Sequence, residues 1–387
     1  MKFLLLHIIS LLIACLFFFY SKDKIDNYYQ EKYKSDFGFI TENYIPTFNQ
    51  NRLSENITLS NALDKSIPVV FGSSELTSHH LNALCYNFFK EHNLSLQAFG
   101  HAGFQCFAIS NVIAANRPVL KNSKIAIILS PGWFEGSDSK GTDLQCFFDY
   151  NNDVVMNQIY WDNQLSDSYK AYYADYIKRK YGQINSPSNT INQFYTYNDK
   201  LYAPFNFMYE KVSNSSYDSD VYDKLLLNLS KDTVQYRFQN FKPNWDSLYQ
   251  LSIEEFKKTS TNNDLGVENE YYANRLKGKS EKEFKITENS QEYQDFKMLL
   301  RLCKELNCKP VFIIMPLNTL AYKNAKVLEP TIKNIKSELK QYDFKYLDMF
   351  TPALNQYQIG TTEDVMHPGN YGWYQMDKFI IEEFSSK

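Results

Sequence analysis

Hydrophobic positions along the chain come in three textures. Phe3 to Tyr20 is almost unbroken hydrophobe, interrupted only by His7 and Ser10. A run of that length reaches the short end of what spans a bilayer. Ile67-Pro68-Val69-Val70-Phe71 is a short apolar run rich in β-branched residues, which predicts a buried strand. Leu76, Leu81, Leu84, Cys85, Phe88 and Phe89 recur on one face and predict a helix from Leu76 to His92. Leu94 to Phe99 alternates as a short strand, Phe104 to Ala115 has helical spacing, and Lys124 to Leu129 is a third strand. Strand, helix, strand, helix, strand is the signature of a parallel α/β sheet with right-handed crossovers.

From about 140 to 285 the pattern thins: Asn, Tyr, Lys and Asp dominate and no strand periodicity persists. This segment reads as a mostly helical insertion over the sheet. The α/β rhythm then resumes with a helix near Gln291 to Leu306, a strand from Pro310 to Met315, a helix from Thr331 to Gln341 and a strand from Lys345 to Met349. Pro368-Gly369 precedes a closing helix from Tyr371 to Phe384. The predicted organisation is a membrane anchor over 1–21, a stalk with first helices over 22–65, and one α/β domain over 66–387 carrying the insertion.

Composition narrows the function classes. With 44% apolar and 22% charged residues in 387, a sizeable core is available. A net charge of -3 and no Lys/Arg run exclude a nucleic-acid footprint. No small-residue exit site follows the apolar run, so a cleaved signal peptide is disfavoured. Leu12-Ile13-Ala14-Cys15 is similar to a lipoprotein cleavage site, yet Leu16 to Tyr20 continue the apolar run past the cysteine. An uncleaved single-pass anchor with the body outside the cytoplasm is the favoured reading, and lipidation of Cys15 the alternative. Cys85, Cys106, Cys146, Cys303 and Cys308 show no C-x-x-C and no histidine spacing, so no zinc site is expected. Cys303 and Cys308 admit a disulfide, with buried thiols as the default.

Chemistry concentrates at strand ends. Gly72 permits a sharp turn after the first strand, and Ser73-Ser74-Glu75 opens the next helix. Such a turn lifts a hydroxyl to the carboxyl edge of the sheet, where ligands bind. A serine there also serves as an ordinary N-cap, with Glu75 complementing the helix dipole. Asp364-Val365-Met366-His367 tips the balance, because a serine nucleophile needs a base and the base needs an orienting group. Asp364 and His367 sit at a spacing that lets the carboxylate hold the imidazole. Loops at Gly100 to Gln105, Ser130 to Phe134 and Pro316 to Asn318 are expected on the same edge, where Trp133, Phe134 and Trp373 are candidate walls.

Gly72-Ser73-Ser74 resembles the G-D-S block of the SGNH/GDSL serine-hydrolase superfamily, and Asp364-x-x-His367 its terminal D-x-x-H block. More narrowly, Gly72-Ser73-Ser74-Glu75-Leu76, Ser130-Pro131-x-Trp133-Phe134 and Asp364-x-x-His367-x-Gly369-x-x-Gly372-Trp373 resemble the DltD family of D-alanyl-lipoteichoic acid biosynthesis proteins. The resemblance implies a three-layer SGNH-hydrolase-like (flavodoxin-like) α/β fold, a parallel sheet with helices on both faces, and an N-terminal transmembrane helix. It implies Ser74 as nucleophile, His367 as general base and Asp364 as its partner, with Gly103 and the Ser74 N–H in the oxyanion hole. Where the family loop reads S-P-Q-W-F, Gly132 replaces the glutamine, which leaves Gln105 as a candidate donor beside Gly132 and Trp133. Implied partners are lipoteichoic acid, a D-alanyl carrier protein and a membrane O-acyltransferase; no cofactor is expected.

Three functions follow in order of motif coverage. The first is D-alanyl transfer to lipoteichoic acid through a serine acyl-enzyme. The second is an extracellular SGNH esterase or thioesterase acting on acylated cell-wall polymers. The third is a non-catalytic, membrane-tethered partner of the D-alanylation machinery.

Overall fold

The computed structural model describes residues 4–17, 20–21, 24, 44–45, 59–60, 62–135, 141–142, 144–151, 153–184, 241–278, 283–284, 290–322 and 324–385. Its centre is a six-stranded sheet of β1 (Tyr44–Ile45), β2 (Val69–Phe71), β3 (Gln97–Phe99), β4 (Lys124–Leu129), β5 (Lys309–Ile314) and β6 (Tyr346–Asp348). The strand order is β1-β3-β2-β4-β5-β6 and every pairing is parallel. Register is continuous across the sheet: Val70 lies opposite Ala98 and Ala126, and Phe312 opposite Ile127 and Tyr346.

Period-two alternation assigns the two faces of the sheet. Val69, Phe71, Ile125, Ile127, Leu129, Phe312 and Ile314 point to one buried cluster, together with Phe107, Leu299, Ile332 and Leu339. Val70, Ala126, Ile128, Val311 and Ile313 point to the other, with Phe88, Trp373, Met376 and Ile380. The first face is covered by α2 (Cys106–Ala115), α7 (Gln291–Glu305) and α8 (Glu329–Gln341), the second by α1 (Cys85–Glu91) and α9 (Asn370–Ser385). Each fully buried Val, Leu, Ile or Phe contributes about 1.5–3 kcal/mol, so these runs dominate the stability of the three-layer arrangement.

The longer helices described within the polar segment are α3 (Leu144–Asp149), α4 (Asp153–Trp161), α5 (Asp167–Ile184) and α6 (Trp245–Thr259), followed by a short helical stretch over 269–276. Tyr150, Met156, Ile159, Tyr173 and Ile177 join the first cluster. Residues 185–240 of the segment read as an insertion lie outside the described residues.

Two sequence expectations change. The helix expected from Leu76 to His92 is broken: a 3-10 turn covers Ser74–Thr77, turns run through 78–84, and only Cys85–Glu91 is α-helical. Side chains take over the backbone groups that a helix would pair. The Thr77 hydroxyl donates to Ser74 O (2.6 Å), Asn370 Oδ1 accepts Ala83 N–H (3.0 Å), and Asn87 donates to the carbonyls of His79 and Leu81. Secondly, the stretch read as a stalk contributes edge strand β1, and Ile45, Leu59 and Ala62 enter the core. Two residues ahead of Pro46 carry too little periodicity to be recognised.

The run expected to cross the membrane is helical over 4–17; among the described residues no helix is long and apolar enough to span a bilayer. All six cysteines are described and none is disulfide-bonded. Cys303 and Cys308 meet because the Cys308 N–H donates to Cys303 O (2.9 Å) beyond Asn307, whose φ is +50°. That left-handed close of α7 brings the two side chains together as its usual buried contact.

Candidate active site

Parallel pairing delivers the carboxyl ends of all six strands to one edge, and the chain stitches that edge together one residue further on. Gly72 N donates to Phe99 O (3.0 Å), Gly100 N to Ile45 O (3.1 Å) and Met315 N to Leu129 O (2.9 Å). Gly100 has a φ of +130°, and a Cβ there would collide with the Gly72 carbonyl. The β2 and β3 exits therefore touch backbone to backbone. The Ser73 hydroxyl donates to His101 O (3.1 Å), tying the two exit loops at a second point. Ser73 makes no side-chain cap hydrogen bond, so the N-cap reading does not describe this turn.

Ser74 projects from the 3-10 turn toward the far end of the chain. Its Oγ lies 2.9 Å from His367 Nε2, across 293 residues of sequence. His367 Nδ1 is 2.7 Å from Asp364 Oδ2, while Asp364 Oδ1 accepts the backbone N–H groups of Met366 (2.8 Å) and His367 (2.7 Å). An ionised carboxylate only accepts, so the proton sits on Nδ1 and Nε2 is left to accept from the serine hydroxyl. Asp364 thus fixes both the turn and the tautomer.

Electrostatics follow the geometry. Burial works against the Asp364 charge, but the hydrogen bond and charge of His367 and the two backbone donors outweigh it and hold the carboxyl below its usual range. Burial likewise pulls the His367 imidazole down. Asp364, Glu75 and Glu363 overcome that and hold it above the usual histidine range.

The loop carrying the pair is clamped on every side. Glu363 N donates to His367 O (3.0 Å), and the Thr362 hydroxyl to Asp364 O (2.8 Å). Buried Asn318 donates to Leu265 O (2.9 Å) and Asp364 O (3.3 Å), and accepts from Leu320 and Ala321 N–H. The glycines of the motif explain themselves by contact. A Cβ on Gly369 would lie 2.7 Å from Gly360 O, and one on Gly372 would collide with Thr361 O. Only glycine lets the start of α9 press this closely on 360–363.

A second layer joins the two halves of the site. Glu363 accepts a hydrogen bond from the Ser78 hydroxyl and pairs with His80 Nε2 at 2.9 Å. Asn370 reaches Ala83 beside it. Sequence reasoning missed Glu363, Ser78 and His80, since nothing local marks residues 285 positions apart as partners.

The oxyanion candidates sit on the same edge with distinct surroundings. Gly103 has a φ of +87° in the β3 exit loop, and Gln105 stands at the N-cap of α2. The end of that loop is fixed by Glu292 of α7, whose Oε1 accepts the Cys106 N–H at 2.8 Å. Burial and the neighbouring Asp295 push the Glu292 carboxyl up. Gly132 and Trp133 occupy a 3-10 turn over Pro131–Phe134. A Cβ on Gly132 would meet nothing nearer than Ser130 Oγ at 3.6 Å, so a larger side chain fits there. Among the described residues no hydrogen bond links Gly103, Gln105, Gly132 or Trp133 to Ser74, Asp364 or His367. Trp373 and Phe134 are not walls of the site: both are buried, on opposite faces of the sheet.

A family described as "DltD protein" matches residues 45–385, from edge strand β1 to the end of α9. Among relatives, "Protein DltD" of Staphylococcus aureus (strain NCTC 8325 / PS 47) is 24% identical over 339 residues, covering 82% of this chain and 81% of that one. "Protein DltD" of Bacillus subtilis (strain 168) is 24% identical over 342 residues, covering 82% of each. "Protein DltD" of Lacticaseibacillus rhamnosus is 21% identical over 354 residues, covering 85% of this chain and 80% of that one. With the match running through every strand and both halves of the site, the chain belongs to the DltD family.

Proposed function

We propose that this protein is a membrane-anchored serine acyltransferase that esterifies lipoteichoic acid with D-alanine. The observation that carries the reading is the hydrogen-bond chain from Ser74 Oγ through His367 to Asp364. Family membership supports the pathway, and the exposed apolar helix at residues 4–17 supports the anchor: Leu4, Leu12 and Leu16 are 65%, 57% and 71% exposed. Leucines spread around a helix and left uncovered by protein are suited to lipid.

The reaction balances with these residues alone. His367 Nε2 takes the Ser74 proton as Oγ attacks the carbonyl carbon of an activated D-alanyl group. The tetrahedral intermediate collapses, the bond to the donor's leaving atom breaks, and the imidazolium returns its proton to that atom. A glycerol hydroxyl of the polymer then enters, gives its proton to His367 and attacks the Ser74 ester. Collapse restores Ser74 with the proton from Nε2 and leaves D-alanine on the polymer. Gly103 and the Ser74 N–H are assigned to the oxyanion. A D-alanyl carrier protein and a membrane O-acyltransferase are the assigned partners upstream.

An activated serine-hydrolase probe tests the acyl-enzyme. Wild type should form an adduct mapped by mass spectrometry to Ser74, lost in Ser74→Ala and His367→Ala and retained in Ser73→Ala. An adduct that survives Ser74→Ala overturns the assignment. Absence of any adduct favours a tethered, non-catalytic role. Supplying a soluble glycerol phosphate acceptor then separates transfer from hydrolysis by product.

A further inference from the structure

Glu75 follows the serine directly and is 1% exposed. A buried carboxylate is costly unless its charge is answered. Its Oε1 accepts the Ser73 N–H at 2.6 Å, and a Cβ on Gly72 would lie 2.6 Å from that same oxygen. The carboxylate therefore fills the inside of the Gly72–Ser74 turn, and Gly72 is what leaves it room. Titratable groups face it from three elements: Tyr44 of β1, Cys85 of α1 and His367 of the clamped loop.

Two of these three are neutral. Burial, then Glu75, push the Tyr44 phenol up to about 12. Burial, Asp377 and Glu75 push the Cys85 thiol up as well. Burial pushes the Glu75 carboxyl up, while the Ser73 N–H and the His367 charge work the other way; of the three groups, only His367 can offer it a positive charge. It does so at the moment it has taken the proton of Ser74, the residue next to Glu75 and 2.9 Å from Nε2, when Asp364, Glu75 and Glu363 all act on the imidazolium.

We propose that Glu75 is a second carboxylate of this site, a positioning residue that locks the Ser74 turn through the Ser73 amide and stabilises the imidazolium formed on His367. The inference rests on the acyl-enzyme reading and adds a charge requirement to it. Glu75→Gln is the discriminating change, because an amide keeps the acceptor oxygen and the volume while removing the charge.

The rate of Ser74 labelling by the activated probe, followed against pH in the full chain, reads both effects. Labelling needs neutral His367, so loss of the Glu75 charge should move the acid limb to lower pH. The plateau rate should fall about tenfold, the equivalent of one pKa unit of charge stabilisation. Glu75→Asp, which keeps the charge, should retain the wild-type limb. A folded Glu75→Gln with the wild-type limb and plateau overturns the proposal, as does a Glu75→Asp limb displaced as far as that of Glu75→Gln. Should Glu75→Gln fail to fold, Glu75→Met decides on the same readout. Failure of both neutral variants to fold makes the carboxylate purely structural, which overturns its action on His367. Failure of the wild type itself to label is a different result: it removes the acyl-enzyme reading on which this one stands.

Discussion

At the scale of single residues, the Asp364–His367 pair serves stability and chemistry in different pH windows. Asp364 is depressed, so its contribution to stability is present above its unfolded value of about 3.9 and is lost as pH falls through the lower folded value. His367 is raised, so its contribution is complete below its unfolded value of about 6.5 and is lost as pH rises through the folded one. The pair therefore stabilises the fold most between about pH 4 and 6.5. A base must be neutral to work, so the acid limb of labelling or turnover should lie above the ordinary histidine value. Asp364→Asn should move that limb down and reduce turnover by about 10⁴-fold, because an amide can hold the wrong tautomer. Its melting temperature should fall below wild type most between about pH 4 and 6.5, with the gap closing on either side of that window. A gap independent of pH would mean that the pair carries no ionic stabilisation.

At the scale of elements, the site depends on how closely α9 can lie against the 360–363 backbone. Gly372→Ala places a methyl into Thr361 O, and overpacking of this kind costs about 1–3 kcal/mol. The strain should be relieved by displacing the loop that holds Asp364, so Ser74 labelling should fall further than in a variant of equal melting temperature altered on the surface. Equal labelling at equal stability would show that the loop does not move. The same contacts explain what the sequence revealed. Val69–Phe71, Lys124–Leu129 and Lys309–Ile314 were legible because dense β-branched runs bounded by Gly, Pro or Ser have few other uses. Ser74 and His367 were legible because a strand, a sharp turn and a distant D-x-x-H belong to one chemistry. The break after Thr77 was not legible, since Ser78 and Ala83 find their partners in Glu363 and Asn370, far along the chain, while Asn87 takes the His79 and Leu81 carbonyls. Local periodicity from Leu76 to Phe89 is real, but it records burial against the second core cluster rather than helix. Glu75 lies within the Gly72–Leu76 motif, and only its buried contact with the Ser73 amide separates it from a dipole-complementing acid.

At the scale of the whole molecule, the polar insertion braces the site from both sides. From its first part, Cys146 donates to Ala102 O (3.1 Å), Asp149 lies 3.7 Å from His101, and Tyr150 packs on Phe104 with centroids 4.3 Å apart. From its last part, Glu268 N donates to Glu363 O (3.1 Å), and Phe256 lies 3.5 Å from the place a Cβ on Gly360 would take. One end steadies the loop assigned to the oxyanion and the other the loop that carries His367, while the apolar N-terminal helix touches neither core cluster. That separation makes the anchor testable on its own. Residues 4–17 are helical and exposed except for half-buried Cys15, and they contribute no side chain to either core cluster. Burying such a surface in lipid is worth about 25 cal/mol per Å² of apolar area, far more than screened surface charge provides. The full chain should therefore sediment with neutral phosphatidylcholine vesicles and stay bound in high salt, whereas a chain beginning after residue 24 should remain in the supernatant. Both should label at Ser74 at the same rate. Release of the full chain by salt would mean that charge, not the apolar helix, holds it to the surface, and loss of labelling in the shortened chain would mean that the N-terminal segment takes part in building the site.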